Sequence, residues 1–328
     1  MRIAILDDYQ DVALSYADWD GLPGRPEITV FTEHIERHEA LAAALSPFDV
    51  IVAMRERTAF GASLLSLLPQ LRLLVTTGMA NAAVDIAAAR ERGVTVCGTG
   101  GSPFATAELT WGLILALARH IPEEDQRMRS TGGAGGAAVA VRGGWQRTIG
   151  RGLHGRQLGI VGLGRIGQQV AAYGQAFGMR VAAWSQNLNP DQAHAAGAEP
   201  VSKEELFSSS DFVTVHYKLS ERSRGLVGAA ELALMRPTAY LVNTSRGPLV
   251  DSSALVAALR KGTIAGAGLD TYDTEPLPLG DSVRLAPNTV LTPHLGYVTD
   301  DTYRVFYGEA VEDIAAFVQG DPIRVLSP

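Results

Sequence analysis

Cysteine is almost missing from this chain, with Cys97 the only one among 328 residues. A lone thiol rules out an intramolecular disulfide framework and any metal centre built on several cysteines. Long apolar runs are missing too. The richest stretch, residues 109–118, is interrupted by Gly112 and followed by Arg119-His120, well short of the roughly 20 apolar residues that cross a bilayer. Positive charge is in deficit: 28 Lys and Arg stand against 35 Asp and Glu, a formal net charge of -7. Nucleic-acid binding needs a basic face, so that class of partner is not expected, although a local basic pocket for one small anion remains open. Met1 leads straight into residues 2–6, too short an apolar stretch for the core of a secretion signal. The expectation is a soluble cytoplasmic protein with no membrane, nucleic-acid or metal partner.

A length of 328 residues exceeds one ordinary core and points to two domains. Short apolar runs at 2–6, 50–53, 71–76 and 94–96 alternate with helix-like segments at 35–45, 60–68 and 84–92. Runs of Val, Ile and Leu without alternation suit strands buried on both faces of a parallel sheet, so the first unit reads as α/β. Ser102-Pro103 reads as the cap and first residue of a long helix from 104 to about 128, crossing into the second unit. Residues 130–144 (STGGAGGAAVAVRGG) read as a surface loop, with an arm ordering against a partner subunit as the alternative.

From Gln157 a second α/β series begins: strand 157–161, helix 166–177, strand 180–184, then a helix behind a Ser202…Glu205 capping box. Further strands are expected at 212–215, 240–242, 264–267 and 290–291, and a closing helix at 299–319 returns to cover the first unit. The chain would therefore cross between domains near 102 and 293, giving 1–102 with 294–328 as one domain and 103–293 as the other. Ligands of such folds bind at the carboxyl ends of strands and in clefts between domains.

Gly162-Leu-Gly164-Arg-Ile-Gly167 follows one of these strands and opens a helix. A GxGxxG alone is weak, but in strand–turn–helix context it reads as a dinucleotide loop. Gly162 would permit the tight turn, Gly164 the approach of a pyrophosphate, and Gly167 close packing of helix on strand, with the helix N-terminus facing the phosphates. The fingerprint expects an acid about 20 residues on, gripping the ribose 2′-hydroxyl. Here Ser185 and Gln186 occupy that stretch. No arginine clamp for a 2′-phosphate is evident either, although Arg165 and Lys218 could reach. NAD and NADP are therefore both expected as cofactors.

Of the seven histidines, His294 stands apart in Thr292-Pro-His-Leu-Gly-Tyr297, just after a short strand and beside the second crossover. Glu275 precedes it by 19 residues in Asp273-Thr-Glu-Pro276. A carboxylate beside an imidazole orients it and favours its protonated form, as a general acid near neutral pH requires. Glu275 could equally be a plain turn residue before proline. Arg246, in Val242-Asn-Thr-Ser-Arg-Gly247-Pro248, ends another strand, where its guanidinium could fork onto a substrate carboxylate. Alone it would read as a surface arginine.

Residues 158–167 (LGIVGLGRIG), 235–255 (MRPTAYLVNTSRGPLVDSSAL), 266–276 (GAGLDTYDTEP) and 292–296 (TPHLG), in this order, resemble the D-isomer-specific 2-hydroxyacid dehydrogenases, above all the phosphoglycerate-dehydrogenase-like branch. The resemblance covers nearly the whole chain. It implies two doubly wound parallel-sheet α/β domains, a Rossmann-type cofactor domain at 103–293 and a flavodoxin-like substrate domain formed by 1–102 with 294–328. It implies reversible, stereospecific hydride transfer between NAD(P)H and a small 2-oxo acid to give a D-2-hydroxy acid, in a homodimer. His294 would exchange the proton, Glu275 would pair with it, and Arg246 would hold the substrate.

The resemblance further places Asp270 at the nicotinamide carboxamide, Leu163, Arg165 and Ile166 in the diphosphate turn, and Thr106, Thr244 and Gly296 along the cofactor. Ser185, Gln186, His216, Tyr217 and Lys218 would lie towards the adenosine. Thr77, Gly78, Met79 and Ala80 match the loop whose amides receive the substrate carboxylate, with Arg55 on the neighbouring loop shaping substrate choice, compatible with a second negative group. Departures from the pattern are Ser185 in place of Asp, Ala80, Lys218 and the long Gly/Ala loop. No regulatory C-terminal domain is expected. Two other readings share the fold. A formate dehydrogenase would carry Gln rather than Glu in the role given to Glu275, and a nucleotide-sensing binding protein would lack turnover.

Overall fold

The computed structural model describes residues 1–130 and 146–327. Two compact units divide the chain: Met1–Ser102 with the segment from Tyr297 onward, and Pro103–Gly296. The boundary falls three residues beyond the expected one, which leaves His294 in the second unit. The Gly/Ala loop lies outside the described residues apart from Ser130.

The first unit is a five-stranded parallel sheet of β1 (Arg2–Ile5), β2 (Glu27–Val30), β3 (Val50–Ala53), β4 (Leu73–Thr76) and β5 (Thr95–Gly98). The order β2-β1-β3-β4-β5 is that of the flavodoxin-like class. Sheet faces diverge in what covers them. One carries Leu41, Leu45, Phe60, Leu64 and Ala89 from α1 (His38–Leu45), α2 (Ala62–Leu65), α3 (Ile86–Glu91) and their flanks. The other is covered by the C-terminal helix Asp300–Gln319, which buries Tyr303, Phe306, Tyr307, Ala310 and Ile314, one stripe at helical spacing. Thr299 caps that helix, accepting from the Thr302 amide. β2 escapes the apolar-run criterion because Glu27-Ile-Thr-Val30 is an edge strand with no fully buried residue.

The second unit is a seven-stranded parallel sheet: β6 (Gln157–Val161), β7 (Arg180–Trp184), β8 (Glu199–Pro200), β9 (Phe212–Val215), β10 (Tyr240–Asn243), β11 (Gly266–Leu269) and β12 (Thr289–Leu291). Its order, β12-β11-β10-β9-β6-β7-β8, reverses direction at β6, the switch point of a Rossmann sheet. One face packs on α4 (Ala105–Arg119) through Trp111, Leu113, Ile114 and Leu117; the other packs on helices that include Ser252–Lys261.

Three sequence readings need correction. The expected single helix from 104 to 128 is two, α4 and α5 (Ile121–Ser130), separated by His120 at φ 53°. Pro122 has no N–H to continue the first helix, so the chain breaks and restarts with Pro in the first turn. That first helix also starts later than the Ser-Pro signal implied, with Phe104 at its N-cap. The strand expected at 264–267 is β11, Gly266–Leu269, two residues on. Its register is set by glycine rather than by apolar content. A Cβ at Gly268 would lie 3.1 Å from the Leu113 Cβ of α4, and one at Gly266 would lie 2.5 Å from the Asn288 carbonyl. Among the described residues, no helix is long and apolar enough to cross a membrane.

Candidate active site

The glycine loop follows β6 and opens α6 (Arg165–Ala176). Gly162 adopts φ +97°, and a Cβ there would lie 2.5 Å from the His216 carbonyl oxygen. At Gly167 a Cβ would lie 2.2 Å from the Gly162 carbonyl, so helix and loop touch backbone to backbone. Gly164 opens on space, with no atom within 4 Å of its would-be Cβ. No side chain caps α6, so its first N–H groups face outward with their partial positive charge. These features fit a dinucleotide diphosphate, with Leu163, Arg165 and Ile166 supplying the turn.

At the end of β7, the Ser185 hydroxyl accepts from the Leu163 amide at 3.2 Å, bracing the loop where a carboxylate was expected. Gln186, Arg165 and Lys218 are exposed. Tyr217 stacks on Trp184 with ring centroids 6.1 Å apart, and its carbonyl accepts from Ser245 Oγ at 2.8 Å. The amide of His216 continues the β6–β9 ladder onto Val161. Its Nε2 is buried and unpartnered, and burial depresses its pKa to about 4. The ring is therefore neutral at physiological pH. Thr106 Oγ1 donates to the Gly296 carbonyl at 2.9 Å, and Thr110 and Thr244 share a hydroxyl–hydroxyl bond of 2.8 Å.

His294 Nδ1 and Glu275 Oε2 are 2.6 Å apart, so the two residues separated by 19 positions do meet. Glu275 Oε1 accepts from the Tyr272 amide at 2.9 Å, and the Glu275–Pro276 peptide is cis. His294 itself sits at φ +52°, a left-handed conformation rarely adopted by non-glycine residues. Asp270 holds the segment that carries it. Its Oδ1 accepts from Thr292 Oγ1 at 2.6 Å and the Leu295 amide at 2.7 Å, and its Oδ2 from the Gly296 amide at 2.9 Å. Burial pushes the Asp270 carboxyl upward in pKa, opposed by these donors and by His294. Arg246 lies in a turn closed by Asn243, whose Nδ2 donates to the Arg246 carbonyl and whose Oδ1 accepts from the Ser245 amide.

In the first unit, the turn after β4 places Gly78 at φ +98°, with its amide donating to Thr99 Oγ1 at 2.9 Å. The amides of Met79 and Ala80 make no backbone–backbone hydrogen bond among the described residues. Arg55 lies across the turn, Nη1 donating to the Thr77 carbonyl at 3.0 Å, with its amide on Thr77 Oγ1. Arg57 was not singled out from the sequence. Its guanidinium lies 4.3 Å from the Tyr9 ring centroid and 5.6 Å from that of Tyr297, which Arg55 also approaches at 5.9 Å. Asn243, Tyr272 and Thr292 were likewise missed. An Asn at a strand end before a tight turn is a signal that could have found the first of them.

Among the described residues, no group of three or more His, Cys, Asp or Glu is arranged to hold a metal. The family model for the NAD-binding domain of D-isomer-specific 2-hydroxyacid dehydrogenases matches residues 111–296. A glyoxylate reductase of Aeropyrum pernix is 41% identical over 260 residues, covering 78% of this chain and 76% of that protein. Among solved structures, an oxidoreductase of the D-3-phosphoglycerate dehydrogenase type from Ralstonia solanacearum superimposes with a TM-score of 0.90 at 37% identity, covering 100% of this chain and 97% of that one. A phosphoglycerate oxidoreductase from Vibrio cholerae gives a TM-score of 0.89 at 36% identity, with coverage of 98% and 99%. The chain belongs to the D-isomer-specific 2-hydroxyacid dehydrogenase family, oxidoreductases that work with a nicotinamide dinucleotide.

Proposed function

We propose that this dehydrogenase reduces glyoxylate and similarly small 2-oxo acids, with His294 as proton donor, Glu275 as its partner and Arg246 as the substrate's cationic anchor. The observation that carries the proposal is the 2.6 Å contact between His294 Nδ1 and Glu275 Oε2. With Nδ1 committed to the carboxylate, the proton exchanged with substrate is the one on Nε2. Arg246 forks onto a carboxylate and draws electron density from the adjacent 2-oxo group. A nicotinamide dinucleotide held by the glycine loop would supply the hydride that the carbonyl carbon needs. His294 then completes the hydroxyl by giving its proton to the carbonyl oxygen, and Glu275 balances the charge on the ring while the proton is held there.

Asp270 keeps the Leu295 and Gly296 amides in place, a role compatible with contact to the nicotinamide end. In the first unit, the Thr77-Gly78-Met79-Ala80 turn offers its amides to an anion, and Arg55 adds a guanidinium that suits a substrate with a second negative group. Both NADH and NADPH serve, because Ser185 brings no charge to repel a 2′-phosphate and Arg165 and Lys218 are exposed. The active form is a homodimer.

The test is a steady-state panel of glyoxylate, pyruvate, hydroxypyruvate and 2-oxoglutarate with each reduced cofactor, followed at the nicotinamide absorbance. Turnover on the small acids should fall by roughly 10²–10⁴-fold in His294→Ala. Near-wild-type turnover in that variant would refute the assignment. Cofactor binding with no turnover on the whole panel would favour a sensing role.

A further inference from the structure

We infer that Tyr272 is a positioning residue that keeps the Arg246, Glu275 and His294 segments aligned for proton transfer. The inference rests on the roles proposed for those three residues and adds the group through which they are held.

Three independent contacts converge on this one residue. The first is its amide, which donates to Glu275 Oε1 at 2.9 Å and so leaves Oε2 to face His294 Nδ1. A second comes from its phenol oxygen, 3.0 Å from the Thr292 carbonyl and 3.1 Å from the Leu269 carbonyl, with one proton shared between the two acceptors. The Thr292 carbonyl also accepts from the His294 amide at 3.1 Å, closing the tight turn that puts His294 at φ +52°. Left-handed backbone at a side-chain-bearing residue persists only where its surroundings over-determine it. The phenol clamps one end of that turn, and Asp270 clamps the other through Leu295 and Gly296.

The third contact lies on the side of Arg246. A Cβ on Gly247 would fall 2.1 Å from the Tyr272 carbonyl carbon and 2.3 Å from its oxygen, so the arginine turn rests directly on the Tyr272 backbone. Burial, with Asp270 and Glu275 adding to it, pushes the phenol pKa up. The hydroxyl therefore stays protonated and remains a donor across the working pH range. Its ring fills space that phenylalanine would fill equally, and the Leu269 carbonyl would keep its bond from the Thr292 amide at 2.9 Å. What Tyr272→Phe removes is the restraint on the Thr292 carbonyl.

The experiment is Tyr272→Phe in the full chain, alone and combined with His294→Ala, assayed with glyoxylate and NADH. Tyr272→Phe is expected to lower kcat about tenfold, the effect of one lost orienting hydrogen bond, while KM and NADH affinity stay within about twofold. In the His294→Ala background the same substitution should cost nothing further, because its effect passes through the histidine. Gly247→Ala, which displaces the same peptide from the opposite side, should lower kcat as well and keeps the question answerable if Tyr272→Phe folds poorly. An unchanged kcat in Tyr272→Phe, or an equal loss with and without His294, would overturn the inference. If His294→Ala itself keeps full turnover, the proposed proton donor fails first, and the role of Tyr272 falls with it.

Discussion

Ser185 ends β7, where the dinucleotide fingerprint expects a carboxylate, and its hydroxyl is already engaged with the Leu163 amide. A carboxylate in its place would bring a negative charge to the ribose end of the cofactor. Ser185→Asp should therefore lower kcat/KM with NADPH by at least about tenfold, the effect of one poorly screened like-charge contact, and leave NADH within about threefold. Paired steady-state assays of the two cofactors read this directly, and an unaltered NADH-to-NADPH ratio would remove Ser185 from the account. His216 predicts a pH effect on stability. Burial lowers its pKa from 6.5 to about 4, so as pH falls the unfolded chain takes up the proton first. Stability is lost from pH 6.5 down to about 4 and changes no further below. The ring is partly exposed, which limits the effect to about 1–3 kcal/mol. Asp313, raised to about 6 by burial, works with the opposite sign as pH falls from about 6 to its ordinary value of 3.8, so the comparison must be between wild type and His216→Gln. Urea midpoints at pH 7 and pH 4.5 should fall less in the variant; parallel falls would contradict the reading.

At the scale of elements, α6 depends on one missing side chain. A methyl at Gly167 would lie 2.2 Å from the Gly162 carbonyl, a backbone atom that cannot move without shifting the loop. Gly167→Ala should push α6 away from β6, at a cost of about 1–3 kcal/mol by overpacking, and weaken NADH binding at least tenfold. Thermal melts with NADH fluorescence titration would check both, and wild-type affinity in a destabilised variant would separate helix packing from phosphate binding. Gly164→Ala makes a useful contrast because its Cβ meets nothing within 4 Å. That substitution should spare stability and act on the cofactor alone.

For the whole molecule, the two units differ in how they are assembled from the chain. Residues 103–296 form the second unit without interruption, with a core on each face of its sheet. The first unit draws the cover for one face from Tyr303, Phe306, Tyr307, Ala310 and Ile314, some 200 residues after its last strand. A fragment spanning 103–296 is expected to fold and bind NADH, whereas 1–102 alone would expose an apolar sheet face and fail to fold. Circular dichroism and NADH fluorescence on the two fragments decide this. A folded, monomeric 1–102 would show that the C-terminal helix is dispensable.

What the sequence determined by itself is whatever chemistry runs along consecutive residues. The glycine spacing of 162–167, the unalternated strands at β3, β4, β6 and β9, and the closing helix from about residue 299 are local patterns whose meaning does not depend on distant neighbours. The motifs around Arg246, Glu275 and His294 were legible in the same way. The pairing of Glu275 with His294 was expected from the family resemblance, and the two meet at 2.6 Å; the geometry of that contact was not legible, because residues 19 positions apart meet only when parallel strands fix where each loop ends. Tertiary structure alone decided where β11 lies, with the Asn288 carbonyl 2.5 Å from any Cβ at Gly266 and α4 packed closely on Gly268. It alone brought Arg57 against Tyr297 across 240 residues of chain. The same holds for Tyr272, whose hydroxyl reads as one more strand-end aromatic until β11 and β12 pair and bring the Thr292 carbonyl within 3.0 Å. A hydrogen bond needs its partner placed to a few tenths of an ångström, and that placement comes from packing, not from order along the chain.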